Sequence, residues 1–386
     1  MVINSRTTRR AKHLTQLWWA FFIFTSVALG LRRRGHARTS RVGLTLFTYA
    51  YAEGLGNGGA IDRSNLDFFL RVALSANTPG MLDGEGKVEY NIVVNGRVCT
   101  PCDITLPVVL RSSSSPGMAS RVRVFRRENT GMDMGAHNFS LSWAMSSKPD
   151  AFTYFIFINS SFRGPFMPKW TPANFHFTDT LLSPMKLRGV KLMGAYLSCL
   201  NRHVEPVSGP IIETGFFALD RDSLLWAIQD GIFQIYESKA ETIVKSEYGV
   251  AKSILSRGGD IDTLLTRYKP GVEWSNPKHQ FCNDNRHSSR RGALSGGISV
   301  NIFETVFVKL SWCVRAKEVE VTSNWILNLA QGRTGTEGNF DRIGWEKGVS
   351  PEGTSGKAGT LPIEVPTDGC ATGDVSALLH EGMGFR

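Results

Sequence analysis

Five successive apolar positions, Tyr154-Phe155-Ile156-Phe157-Ile158, constrain this chain more than any other feature. Side chains along a strand point alternately to opposite faces, so a strand that is apolar at every position must be covered on both sides. Shorter runs of the same kind lie at 44–51, 89–94 and 122–125. Between them the spacing turns helical. Over 65–74, Leu66, Phe69, Leu70 and Ala73 share one face behind Asn65 as a cap, and 133–144 repeats the pattern. Buried strands alternating with helices predict an α/β fold, a Rossmann-type, mostly parallel sheet with flanking helices. Ligands of such sheets bind beyond the carboxyl ends of the strands. The loops after Tyr51, Val94, Phe125 and Ile158 therefore share one rim. Farther along, 192–200, 211–219 and 303–312 read as strands, 221–230 and 239–256 as helices, and 112–120 as a surface loop.

The net charge of +10 invites a nucleic-acid reading, and its location argues against one. Residues 1–41 hold nine basic side chains and no acidic one, which leaves 35 basic against 34 acidic residues in the rest. A nucleic-acid binder needs its basic face on the folded domain, where it displaces phosphate counterions. Between the arginine clusters, residues 14–31 carry no charge. At the short end of what a bilayer needs, this stretch fits a signal anchor, a cleaved signal peptide or an Arg-rich transit peptide. The signal anchor is carried forward, with the domain lumenal in the ER or Golgi; a plastid or secreted protein is the alternative. The organisation is then a basic tail (1–13), the hydrophobic segment (14–31), a basic linker (32–41), the α/β domain (42–330) and a Gly/Ser-rich, largely disordered tail (331–386). Twelve glycines in that tail and few aromatics leave little to bury.

Cys99-Thr100-Pro101-Cys102 has redox or zinc-ligand spacing, but no second pair completes a zinc set. A local disulfide or two free thiols is the expectation. The sequons at Asn138 and Asn159 fall in segments read as buried or functional, so little glycosylation is expected at either.

Four segments could carry chemistry. Arg126-Arg127-Glu128-Asn129-Thr130-Gly131-Met132-Asp133 joins a strand to a helix through a glycine turn. Backbone N–H groups there suit phosphate or ribose, and the arginines could pair with diphosphate. Asn159-Ser160-Ser161-Phe162-Arg163-Gly164-Pro165 runs from the buried strand into polar side chains, with Asn159 and Ser161 at alternate positions. Glu247, within a helical stretch, is the candidate general base for an acceptor hydroxyl. Asn283, Asp284, Asn285 and His287 form a polar loop suited to a sugar or diphosphate lid. Asp220/Asp222 and Asp260/Asp262 have the spacing of a metal–diphosphate site, but each pair lies at an element boundary where helix capping explains aspartate.

Together these segments resemble a family of eukaryotic, algal-type glycosyltransferases, distantly similar to bacterial rhamnan-synthesis and polysaccharide transferases of the GT-A fold. The match rests on Tyr49-Ala50-Tyr51-Ala52-Glu53, Asn65-Leu66 with Phe68-Phe69-Leu70, and Arg127-Glu128-Asn129-Thr130-Gly131-Met132-Asp133-Met134-Gly135-Ala136. It continues through residues 154–166, Glu247-Tyr248-Gly249 and Cys282-Asn283-Asp284-Asn285, covering roughly 44–315. The resemblance implies a nucleotide-diphosphate-sugar donor, with Arg126, Arg127, Asn129, Asp133, Asn159, Ser161, Arg163 and Gly164 on the donor side and Glu247 as base. It implies a glycan or protein acceptor. It also implies a divalent ion (Mn or Mg) held by a D-x-D motif at the end of the central strand. Here that place reads Asn159-Ser160-Ser161. Neutral ligands leave metal dependence open, and with it the alternative of an inactive carbohydrate- or nucleotide-binding relative.

Overall fold

The computed structural model describes residues 43–331 except for 54–58, 76–77, 79, 82, 84–85, 114–116, 201–208, 280–281, 283–285, 291, 295–298 and 311–315. The hydrophobic segment 14–31, its basic flanks and the tail from 332 lie outside the described residues. No helix among the described residues is long and apolar enough to cross a membrane.

Seven strands form the central sheet in the order β10-β6-β9-β4-β1-β2-β3. β1 (Leu44–Tyr51), β2 (Val88–Asn95), β3 (Val122–Arg127) and β4 (Phe152–Asn159) run parallel. β9 (Phe216–Asp220) lies antiparallel between β4 and β6 (Leu192–Gly194), and β10 (Ile261–Thr263) closes that edge. The sheet is mostly parallel, as the apolar runs predict. Helices α1 (Gly59–Ala73), α2 (Thr100–Ser112) and α3 (Met132–Ser147) connect the parallel strands, and α4 (Asp179–Arg188) leads into β6.

Both faces of the sheet are dry. On one side Phe47 stacks on Phe69, with ring centroids 5.2 Å apart, beside Tyr90 and Phe177. On the other, Phe157 meets Phe217 at 4.9 Å and Phe233 at 5.2 Å. Each fully buried phenylalanine contributes about 1.5–3 kcal/mol by leaving water. Thr48, Asn91 and Ser140 are buried together, and the Ser140 hydroxyl bridges the other two at 2.8 and 3.0 Å. That pins α3 across β1 and β2.

Three long apolar stretches are each divided. Residues 192–200 supply β6 and then β7 (Leu197–Leu200), which pairs with β8 (Gly209–Ile212) in a separate ribbon. Residues 211–219 break at Glu213-Thr214-Gly215 between β8 and β9. Residues 303–312 hold the end of a short helix, α7 (Ile302–Thr305), and β11 (Val308–Lys309), which pairs antiparallel with β5 (Phe162–Arg163). Between β9 and β10 come α5 (Arg221–Gln229) and a helical run 239–255 that ends as α6 (Gly249–Leu255). The last described helix is α8 (Ala316–Ala330).

Candidate functional site

The carboxyl ends of β3 and β4 meet the amino end of α3. Gly131 enters the helix at φ 71°, a conformation glycine adopts without steric cost, and Met132 follows at φ 51°. Gly135 lies so close to the preceding turn that a Cβ there would stand 2.1 Å from the Thr130 carbonyl oxygen. The tight turn sets Asp133 beside the end of β4, where Asn159 Nδ2 donates to its Oδ2 at 3.0 Å. Asn159 Oδ1 accepts from the Ser161 hydroxyl (2.6 Å) and backbone N–H (3.2 Å). Asp133, Asn159 and Ser161 are thus one hydrogen-bonded unit.

Glu247 lies within electrostatic range of Asp133. Residues 242–247 form a π-helix, in which Tyr248 N–H donates to the Ile243 carbonyl five residues back. Widened turns of this kind are rare and frequently found at functional sites. Glu247 is half-buried, and its pKa is pushed up to about 7, first by desolvation and then by the charge of Asp133. Lys309 and His287 pull it the other way. A carboxyl poised near neutrality is what a general base requires.

Lys309 is held by β11. Val308 and Lys309 pair with Arg163 and Phe162, and Leu310 N–H donates to the Ser161 carbonyl at 3.0 Å. Its Nζ lies 5.9 Å from the Phe162 ring centroid. Burial holds the ammonium below the ordinary lysine pKa, although Glu213, Glu247 and Asp133 all draw it upward. Gly164 lets this segment close in, since a Cβ there would stand 2.4 Å from the Val306 carbonyl oxygen. Val306 itself sits at φ 63°, costly for a β-branched residue. The non-glycine residues at positive φ among those described are Met132, next to Asp133, and Val306, three residues before Lys309, and strain of this kind gathers at functional sites.

Glu213 completes the cluster. It is buried and accepts from Ser198 Oγ (2.7 Å), Ser289 N–H (3.3 Å) and the Ser289 hydroxyl. His287 Nδ1 stands 3.7 Å from Glu213 Oε1, and Nε2 lies 3.4 Å from the Tyr248 hydroxyl. Desolvation alone would raise the Glu213 pKa; His287, Lys309 and Ser289 overcome it and hold the carboxyl at about 2. The Cys199–Cys282 disulfide fastens the start of the His287 loop to β7.

Several sequence candidates lie elsewhere. Arg163 is fully buried against α1, with Nε donating to Asn65 Oδ1 (2.9 Å) and Nη2 to Ser64 Oγ (2.5 Å), and Asn65 in turn donates to the Ser160 carbonyl (2.9 Å). Burial pushes its pKa down to about 10. Arg127 spans Asn95 Oδ1 (2.6 Å) and the Thr130 carbonyl (2.8 Å), bracing the turn before α3. Arg126 is exposed and pairs with Asp103 of α2, and Asn129 is exposed in the same loop. Asn283, Asp284 and Asn285 lie outside the described residues. Asp220 caps α5 and binds Lys191 (2.6 Å), and Asp262 pairs with Arg188 (2.6 Å). Cys99 and Cys102 form a local disulfide at the start of α2.

The residues at the end of β4 do not fit a divalent cation. Both polar atoms of the Asn159 amide are engaged with protein groups, Ser161 offers a neutral oxygen, and Lys309 pairs opposite Phe162 just beyond the turn. Among the described residues no group of three or more His, Cys, Asp or Glu is arranged to hold a metal.

Sequence reasoning missed Lys309 and Glu213. The signals were a charge within the apolar run 303–312, and Glu213-Thr214-Gly215 interrupting the run 211–219.

The class defined by fold and rim is an α/β domain with a polar, charge-dense cluster beyond the carboxyl ends of its parallel strands. By sequence the chain matches no protein-family model and no curated protein. By structure it is similar to glucosyl-3-phosphoglycerate synthase from Mycobacterium tuberculosis in complex with phosphoglyceric acid. That alignment has 14% identity and a TM-score of 0.29, covering 57% of this chain and 69% of that one. It is also similar to the nucleoside-diphosphate-sugar pyrophosphorylase from Vibrio cholerae RC9, with 11% identity and a TM-score of 0.34, covering 57% and 91%. At these scores neither likeness defines the chemistry of this chain.

Proposed function

We propose that this protein is a glycosyltransferase that moves a sugar from a nucleotide-diphosphate-sugar donor onto a glycan or protein acceptor, in a GT-A-like domain. The observation that carries the reading is Glu247, brought by a π-helix to within electrostatic reach of Asp133 and Lys309 and poised near neutral pH. Glu247 takes the proton of an acceptor hydroxyl as that oxygen bonds to the sugar. The bond from the sugar to the phosphate oxygen breaks, and its electron pair leaves with the nucleoside diphosphate. The amino end of α3 and the Asp133–Asn159–Ser161 unit contact the donor. Stabilising the departing diphosphate is the largest catalytic term.

Two disulfides among the described residues support an oxidising compartment, in keeping with a domain in the ER or Golgi lumen behind an anchor at 14–31. A second reading, a relative that binds the donor without turnover, is favoured by the neutral Asn159-Ser160-Ser161 turn.

The test is release of nucleoside diphosphate from a panel of nucleotide sugars, with wild type and Glu247→Gln compared. Release from one donor, lost by roughly a hundredfold or more in the variant, supports transfer through this base. Binding without release supports the inactive relative. Equal release by both proteins refutes the role of Glu247.

A further inference from the structure

The turn at the end of β4 has no carboxylate to hold a cation against a diphosphate, yet a cation is already fastened there. Lys309 lies opposite Phe162 in the β5–β11 pair, and the next residue hydrogen-bonds the Ser161 carbonyl. The segment before it cannot drift. The Phe307 ring is buried 4.4 Å from that of Phe216, and the Tyr196 hydroxyl donates to the Phe307 carbonyl at 2.8 Å. Three acidic groups, Glu213, Glu247 and Asp133, draw the ammonium's pKa upward. A lysine on a four-carbon stem is a mobile point charge of the kind that binds phosphate.

We propose that Lys309 is the cation that neutralises the donor diphosphate, so that this site works without a divalent metal. The inference rests on the nucleotide-sugar reading above and names what replaces the metal in it. When the sugar–oxygen bond breaks, the leaving diphosphate gains one negative charge, and Lys309 supplies one positive charge beside it. Glu213, Glu247 and Asp133 draw the ammonium toward its charged form against the cost of burial. The orphaned amide chemistry expected of a metal ligand is missing because Asn159 is a hydrogen-bond bridge between Asp133 and Ser161.

The experiment measures affinity of the full chain for uridine and guanosine mono- and diphosphates by calorimetry, each in EDTA and in manganese chloride. Wild type, Lys309→Met and Lys309→Arg are compared. The expected result is diphosphate affinity that differs less than twofold between EDTA and manganese. Lys309→Met loses at least tenfold in diphosphate affinity with its monophosphate affinity unchanged, and Lys309→Arg recovers most of the loss. Diphosphate binding by the wild type only in manganese overturns the proposal without any variant, as does a Lys309→Met protein that keeps its diphosphate preference. Binding of no nucleotide under either condition overturns the transferase reading itself, a different failure.

Discussion

Replacing Glu247 with glutamine is expected to make the protein more stable at alkaline pH while removing turnover. Glutamine imitates the protonated acid, the form that the half-buried site prefers. The Glu247 carboxyl rises from an ordinary 4.5 to about 7 on folding. At ~1.4 kcal/mol per unit, ionising it in the native state costs roughly 3 kcal/mol. Its partial exposure reduces the expected gain to about 1–2 kcal/mol. The sign follows from linkage. Below pH 4.5 the acid is protonated whether folded or not, and wild type and variant differ little. From pH 4.5 to about 7 the unfolded chain releases a proton that the native state retains, so wild-type stability falls as pH rises. Above about 7 the difference is complete. Thermal unfolding of both proteins from pH 4 to 9 reads this as a rise in Tm of about 2–6 °C for the variant at pH 8. A difference independent of pH, or a variant less stable at pH 8, would refute the burial argument on which the base assignment stands.

Arg163→Met is expected to cost about 2–4 kcal/mol, because Asn65 and Ser64 lose their buried partner. Nucleotide affinity of the folded fraction should stay within twofold; a tenfold loss with little change in Tm would return Arg163 to the donor site. Gly135→Ala should destabilise by about 1–3 kcal/mol, since the methyl group meets the Thr130 carbonyl, and donor affinity should fall with it. Denaturant unfolding that matches wild type would show that the turn relaxes. Paired Cys199→Ser and Cys282→Ser replacement opens a loop with a sequence separation of 83, and should cost roughly 2–5 kcal/mol by denaturant midpoint. An unchanged midpoint would sink that estimate.

The sheet was legible because its central strands are apolar at nearly every position, a pattern no exposed element can carry. β1 begins and ends where the sequence places it, and β2, β3 and β4 fall within two residues of the reading. Helix α2 was not read, since Pro101, Pro107 and the Cys99–Cys102 pair resemble loop punctuation; Pro101 sits in the first turn, where the missing N–H is harmless. The divided stretches failed for another reason. Hydrophobic runs report burial, and burial does not reveal that residues 197–200 and 209–212 leave the sheet to form a ribbon. At the site, Asp133 and Asn159 were visible as polar residues ending apolar strands or opening helices. Arg163 looked the same and lies buried, because a strand end does not reveal which way an arginine folds back. Glu247 was visible, but the π-helix that aims it was not, since its extra residue per turn leaves no trace in a 3.6-residue periodicity. Lys309 depends on a strand pair spanning almost 150 residues, beyond the reach of local patterning.

That long-range pair gives the domain an order of completion during synthesis. Chains fold as they emerge, amino end first. β1–β4 and β9 can pair while residues 301–310 are still inside the ribosome. Until those residues arrive, the hollow among Phe69, Phe177 and Phe216 has no Phe307 to fill it, and Asp133, Glu213 and Glu247 lack the positive charge of Lys309. Residues 301–310 therefore bring Phe307 and Lys309 in together, and Val319 and Ile326 of α8 close the core after them. A chain ending before residue 301 would lack Phe307, Val319 and Ile326 from its core and Lys309 from its charged cluster.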